Sequence, residues 1–135
     1  MSTSTVEYLG GYRTKATHLR SGTEILTDAP VDNKGRGEAF SPTDLVATAY
    51  ASCMLSIIAM YCDEHGLEMV GGKANITKVM GSNPRKIAEI IIEFDLRGNN
   101  WTSVEREKIT RASKTCPVAK SVHDEILTDF EFIFE

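Results

Sequence analysis

The sequence predicts an α+β fold in which antiparallel strands surround one long, buried central helix. Three observations point to it. Residues from Glu7 to Ala29 have strand character without a helical period, the run SPTDLVATAYASCMLSIIAMYCDEHG reads as a single helix, and the C-terminal half alternates strand, helix and strand. With 135 residues, 41% hydrophobic and 25% charged, the chain fits one soluble domain over residues 1–135 that can bury a core. No repeat, low-complexity tract or linker interrupts it.

The first strands are EYLGGYRTKATHL and TEILTDA, separated by Arg20, Ser21 and Gly22, a short polar link suited to a hairpin. DAPVDNKGRGEAF, from Asp28 to Phe40, has no periodicity and reads as a loop of about a dozen residues, a length often functional in small domains. Ser41 then stands as N-cap, Pro42 fits the first helical position, Asp44 brings negative charge to the first turn, and Gly66 is placed to cap the C-terminus. The helix between them, Pro42 to His65, is about 24 residues or roughly 36 Å long. From Leu45 to Tyr61 only Thr48, Ser52 and Ser56 are polar, so the helix is apolar nearly all round and calls for burial on most sides. That stretch falls short of the roughly 20 wholly apolar residues of a bilayer span and lacks basic anchors, so no membrane role is expected. A chain of this size has trouble surrounding such a helix alone, which points to a dimer that shares the burial.

Downstream, GLEMVGGKANITKVM and IAEIIIEFDL flank a Gly81-Ser82-Asn83-Pro84 turn and form a second hairpin, with Ile90, Ile92, Phe94 and Leu96 on one face. Thr102 and Glu105 make a capping box for a helix to about Lys114. Cys116-Pro117 opens a short helical turn. In the closing ILTDFEFIFE, Phe130, Phe132 and Phe134 alternate with acidic residues, as in a half-buried strand.

Fifteen Lys and Arg against nineteen Asp and Glu give a formal charge of -4 with no block of like charge, so nucleic acid is not an expected partner. The opening MSTSTVEYLG has no basic segment followed by an apolar run. A cytoplasmic location is therefore expected, where cysteines are free thiols. There are three, Cys53, Cys62 and Cys116. Cys53 and Cys62 lie about 900° apart around the helix, half a turn out of phase, and cannot bridge. Cys53 shares its side with Ala49, Ile57 and Met60 and reads either as a small core hydrophobe or as a reactive thiol. In the second case its apolar, mid-helix position demands a nearby cation, for which Arg13, Arg20 and Arg36 are candidates. Cys116, directly before a helical start, reads either as a plain capping residue or as a thiol whose pKa is lowered by free backbone N–H groups. Cys62 and His65 would be only half a metal site, so no metal or other cofactor is expected.

The stretch EAFSPTDLVATAYASCMLSIIAMYCDEHG, together with TCPVAKSVH, resembles the osmotically inducible protein C (OsmC) family, which includes the organic hydroperoxide resistance proteins. A small-residue helix opening S-P with a central Cys, paired with a late Cys-Pro-Val, carries the resemblance. It extends over nearly the whole chain and implies an intertwined homodimer in which each central helix packs against its partner. It also implies a thiol peroxidase in which Cys53 attacks the hydroperoxide, Cys116 resolves and Arg13 activates, while Cys62 matches no catalytic position. The Cys53 thiolate would break the O–O bond, release an alcohol and become a sulfenic acid, which Cys116 would condense into a disulfide for an external dithiol to reduce. The implied substrates are small hydrophobic hydroperoxides, with Met54, Ile57 and Met60 as apolar walls. The family's arginine is held by a glutamate just before the helix; that position falls on Thr43 here, leaving Asp44 or Glu38 as substitutes and pointing to the general OsmC-like branch. Two other readings stand beside it: a module that binds a small hydrophobic ligand with incidental thiols, and a redox sensor that signals through the same disulfide.

Overall fold

The N-terminal β pattern folds as three strands, not the two expected. In a computed structural model that describes Met1–Glu135, β1 (Ser4–Gly10), β2 (Arg13–His18) and β3 (Glu24–Asp28) form an antiparallel meander in chain order. The additional reversal falls at Gly10, Gly11 and Tyr12, all at positive φ (90°, 60° and 64°). Two successive glycines make that left-handed path cheap, and they divide the run read above as one strand. The loop after β3 is irregular apart from a 3₁₀ turn (Val31–Asn33) and returns at Phe40 to a single parallel bridge with Thr27. Its path needs Gly35, because a Cβ there would lie 1.5 Å from the Ala29 carbonyl oxygen. By chain contacts Met1–Val46 forms one compact unit and Ala47–Glu135 a second.

Helix α1 (Pro42–Glu64) begins as its sequence predicts. The Ser41 hydroxyl accepts the Asp44 N–H and the Asp44 carboxylate accepts the Ser41 N–H, each at 3.0 Å, a reciprocal cap with Asp at the third position. At the other end Gly66 takes φ 65° and the Leu67 N–H reaches back to the Cys62 carbonyl at 2.8 Å, closing a Schellman motif. The chain itself covers one side of the helix. Ala47, Tyr50, Ala51, Met54, Ile58 and Cys62 are buried, whereas Val46, Ala49, Ala59 and Met60 are exposed, so burial on most sides is not achieved within a single chain. By length and composition, α1 is also apolar enough to cross a membrane.

In the second unit β4 (Lys73–Gly81) and β5 (Lys86–Asp95) form the expected hairpin, and Ile90, Ile92, Phe94 and Leu96 are all fully buried in one cluster with the α1 stripe. The strand begins later than its sequence suggests. Residues 67–72 are irregular, pinned by Asn99, which accepts the Val70 N–H at 2.6 Å and donates to the Gly71 and Leu96 carbonyls at 2.8 and 2.9 Å. Helix α2 (Ser103–Ser113) carries the predicted Thr102–Glu105 capping box, and α3 (Pro117–Ser121) follows. These helices form a crossover, so the last strand, β6 (Leu127–Ile133), runs parallel to β5 and the sheet is not wholly antiparallel. Phe132 stacks on Phe94 with centroids 4.9 Å apart.

Candidate functional site

Helical phase places Cys53 and Cys62 on different sides of α1. Cys62 is 1% exposed within the core, and burial, then Glu105, pushes its thiol up. His65 stays at the surface, stacked on Tyr61 at 4.0 Å with Nδ1 2.8 Å from the Tyr61 carbonyl oxygen. Those two cannot converge as ligands, and no cluster of three His, Cys, Asp or Glu side chains is placed to hold a metal. Cys53 is half-buried and free.

Cys116 is the N-cap of α3, its sulfur accepting the Ala119 N–H at 3.3 Å, with Pro117 at the first helical position. It is completely buried in the core cluster against which Cys53 packs. Its acidity runs opposite to the expectation from the helix start. Burial, the largest influence, pushes the thiol up, Cys53 pushes it further, and the Ala119 and Val118 N–H groups do not compensate. A cap helps a thiolate only where the site is wet enough to hold charge, and this one is not. Tyr50, one turn before Cys53, adds a hydroxyl that both sulfurs influence. Nothing in the spacing had singled it out, although its i, i+3 relation to Cys53 was available. Of the three apolar candidates, Ile57 and Met60 keep to the Cys53 side, but Met54, one residue and about 100° further round, is fully buried and packs in the core instead of lining a pocket.

The first unit holds a second group of charged residues. Arg13 opens β2 directly opposite Asp28 of β3. Its Nε and Nη2 donate to the two Asp28 oxygens at 2.7 and 2.9 Å, a fork-to-fork pair, while Glu38 lies further off at 3.8 Å. Asp28 is fully buried and also accepts the Glu38 N–H at 3.0 Å. Arg13 holds the Asp28 carboxyl below its usual range against the opposing effect of burial, and Asp28 raises Arg13 in turn. The partner of Arg13 is thus Asp28, which sequence reading missed. Strand register was the signal, and it became readable only once the Gly10-Gly11 reversal separated β1 from β2. Asp44 is engaged at the helix cap, and Thr43 lies beside Ser41. Arg20 and Arg36 are exposed.

Chemically, Cys53 and Cys116 are two free thiols associated with one core, the first half-buried and the second fully buried. The family model for OsmC-like proteins matches residues 35–131. A crystal structure from Psychrobacter arcticus 273-4, provisionally described as an osmotic stress induced and detoxification response protein, is 45% identical, covers 98% of this chain and 96% of its own, and superposes with a TM-score of 0.92. Organic hydroperoxide resistance proteins from Legionella pneumophila (15% identity, 98% of each chain, TM-score 0.77) and Elizabethkingia anophelis (14% identity, 100% of this chain and 98% of that one, TM-score 0.77) share the fold. No curated protein matches the sequence. The α+β architecture and the family-wide match lead to one conclusion: the chain belongs to the OsmC-like family.

Proposed function

We propose that the protein is a thiol-dependent peroxidase of organic hydroperoxides, working through Cys53 and Cys116. The observation that supports this reading is that two free thiols from distant parts of the chain belong to one core, Cys53 half-buried on α1 and Cys116 fully buried at the start of α3. That asymmetry supports Cys53 as the attacking thiol and Cys116 as the resolving one. A hydroperoxide reaches Cys53 first, its O–O bond breaks with release of an alcohol, and the resulting sulfenic acid has a thiol neighbour ready to condense with it. An external dithiol then restores both thiols by exchange. Ile57 and Met60 favour a substrate with an apolar body. The resemblance assigns the activating cation to Arg13, and its clamp by Asp28 supports a guanidinium of fixed orientation. Names of the Legionella and Elizabethkingia neighbours, which refer to organic hydroperoxide resistance, agree with this chemistry. A homodimer and a cytoplasmic setting complete the proposal. The uncovered apolar side of α1 supports the first, and three unbridged cysteines support the second.

The test is consumption of cumene hydroperoxide in the presence of a dithiol. Cys53→Ser is expected to abolish turnover, and Cys116→Ser to stop it after one equivalent of peroxide. Equal consumption by wild type and both variants would remove the proposal. A second reading, binding of a small hydrophobic ligand, is favoured by the groove of about 310 Å³ along α1 and β4, where Ala51, Leu55, Ala74 and Ile76 line it together with the hydroxyls of Thr48, Ser52 and Ser56. An inert thiol pair and a co-purifying lipid would select it.

A further inference from the structure

We propose that the cleft between the end of α1 and α2 binds a small aromatic hydroxy acid, with Lys108 and Arg111 taking its carboxylate and with Thr115 and His65 accepting from its hydroxyl. A cavity of about 420 Å³ opens there, lined by Tyr61 and His65 from the α1 end, by Lys108, Arg111 and Ala112 of α2, and by Thr115 just after it. That volume suits a ligand built on one ring. Two cations and no carboxylate line the cavity, which sets the sign of the ligand. Arg111 Nη2 does donate to Glu107 at 2.8 Å, but the two side chains are 72% and 71% exposed, so water weakens the pair. A guanidinium also has five N–H donors to share.

The uncharged lining groups narrow the ligand further. His65 Nδ1 lies 2.8 Å from the Tyr61 carbonyl oxygen, which can only accept, so Nδ1 carries the proton and Nε2 of the neutral ring keeps a lone pair. The Thr115 hydroxyl donates to the Ala112 carbonyl at 2.8 Å, and its oxygen then has only lone pairs left to offer. Both hydrogens are thus consumed within the protein, and toward a ligand the two groups accept. A bare oxyanion gains nothing from them. A ligand with a hydroxyl as well as a carboxylate satisfies the donors and the acceptors together. Tyr61 and His65 stack with centroids 4.0 Å apart and 21° between planes, which gives the cavity a flat aromatic side for a planar ring. None of these residues enters the peroxidase reading, so the site stands or falls independently of it.

The test is an NMR titration of the full chain at about pH 8, where imidazole is neutral, with para-hydroxybenzoate, benzoate and phenol. Para-hydroxybenzoate should bind with a dissociation constant of about 1 mM or below and shift the Thr115 amide and His65 ring signals. Benzoate, which lacks the hydroxyl, should bind about 5-fold more weakly, and phenol, which lacks the charge, about 10-fold more weakly. Combining Lys108→Gln with Arg111→Gln should weaken both carboxylates by about 10-fold or more and leave phenol unchanged. Combining Thr115→Val with His65→Phe should erase the advantage of para-hydroxybenzoate over benzoate while benzoate binds as before. All four side chains are exposed, so the variants should fold, and the ranking of the three ligands on wild type needs no variant. Equal affinity for the three ligands overturns the proposal, as does equal binding by wild type and the Lys108→Gln, Arg111→Gln variant. Absence of any shift at about 10 mM para-hydroxybenzoate overturns it outright.

Discussion

The two three-stranded sheets are held by different forces. Strand β5 places Ile90, Ile92 and Phe94 at 0% exposure in a cluster with α1, whereas the β1–β3 sheet buries only Thr27 and Asp28 and leaves Val6 and Tyr8 about two-thirds exposed at 67% and 66%. The specific contacts of the first sheet are polar, namely the Arg13–Asp28 fork, the Thr14–Thr27 hydroxyl pair and the half-exposed Lys15–Glu24 bridge. Alternation of residue type makes a strand. A core additionally needs an apolar layer supplied against it, and a sheet without one is marginal in water. The contrast gives the proposed second subunit a physical task.

Matched truncations probe the contrast most directly. Ile92→Ala in β5 should lower the unfolding free energy by about 3 kcal/mol in urea denaturation, through lost burial and an unfilled cavity. A loss below about 1 kcal/mol would mean that this cluster is not where stability resides. Acidification addresses the polar sheet. The Asp28 carboxyl lies below its usual range when folded, so the unfolded chain binds that proton more readily. The stability it contributes is complete above the ordinary carboxylate range and is lost as pH falls through its folded value. Asp95, held at about 2 by Arg97, acts in the same sense. The melting temperature should therefore fall between about pH 4 and pH 2. Asp28→Asn should begin lower at neutral pH and fall less steeply; parallel profiles for variant and wild type would show that the fork does not drive the acid response. The smallest effect belongs to Val6→Ala in β1, under about 0.5 kcal/mol in dilute protein. A cost matching that of Ile92→Ala would erase the difference between the sheets.

Local signals were the legible ones. Ser41, Pro42 and Asp44 marked one helix start and Thr102 with Glu105 another, because a cap is a contact between residues three apart. The alternation from Ile90 to Leu96 identified the buried face because one side of β5 meets α1. Relations set by register or by surroundings were hidden. Asp28 is fifteen positions from Arg13 and became its partner through strand pairing. The direction of β6 depends on a crossover that alternating Phe residues do not encode. Cys116 had the right cap, but its two readings stayed open in the sequence, since the burial that raises its thiol is decided by everything packed around it.

The parallel crossover has one more consequence. Cys116 rides on the segment linking β5 to β6, and Cys53 lies in the middle of α1, so a covalent bond between them would tie the central helix to that crossover and close a loop of about sixty residues. By the chain-entropy model such a closure restricts the unfolded chain by roughly 4 kcal/mol. Protein that has met an oxidant would then melt later than protein that has not, and heat resistance would serve as a record of exposure.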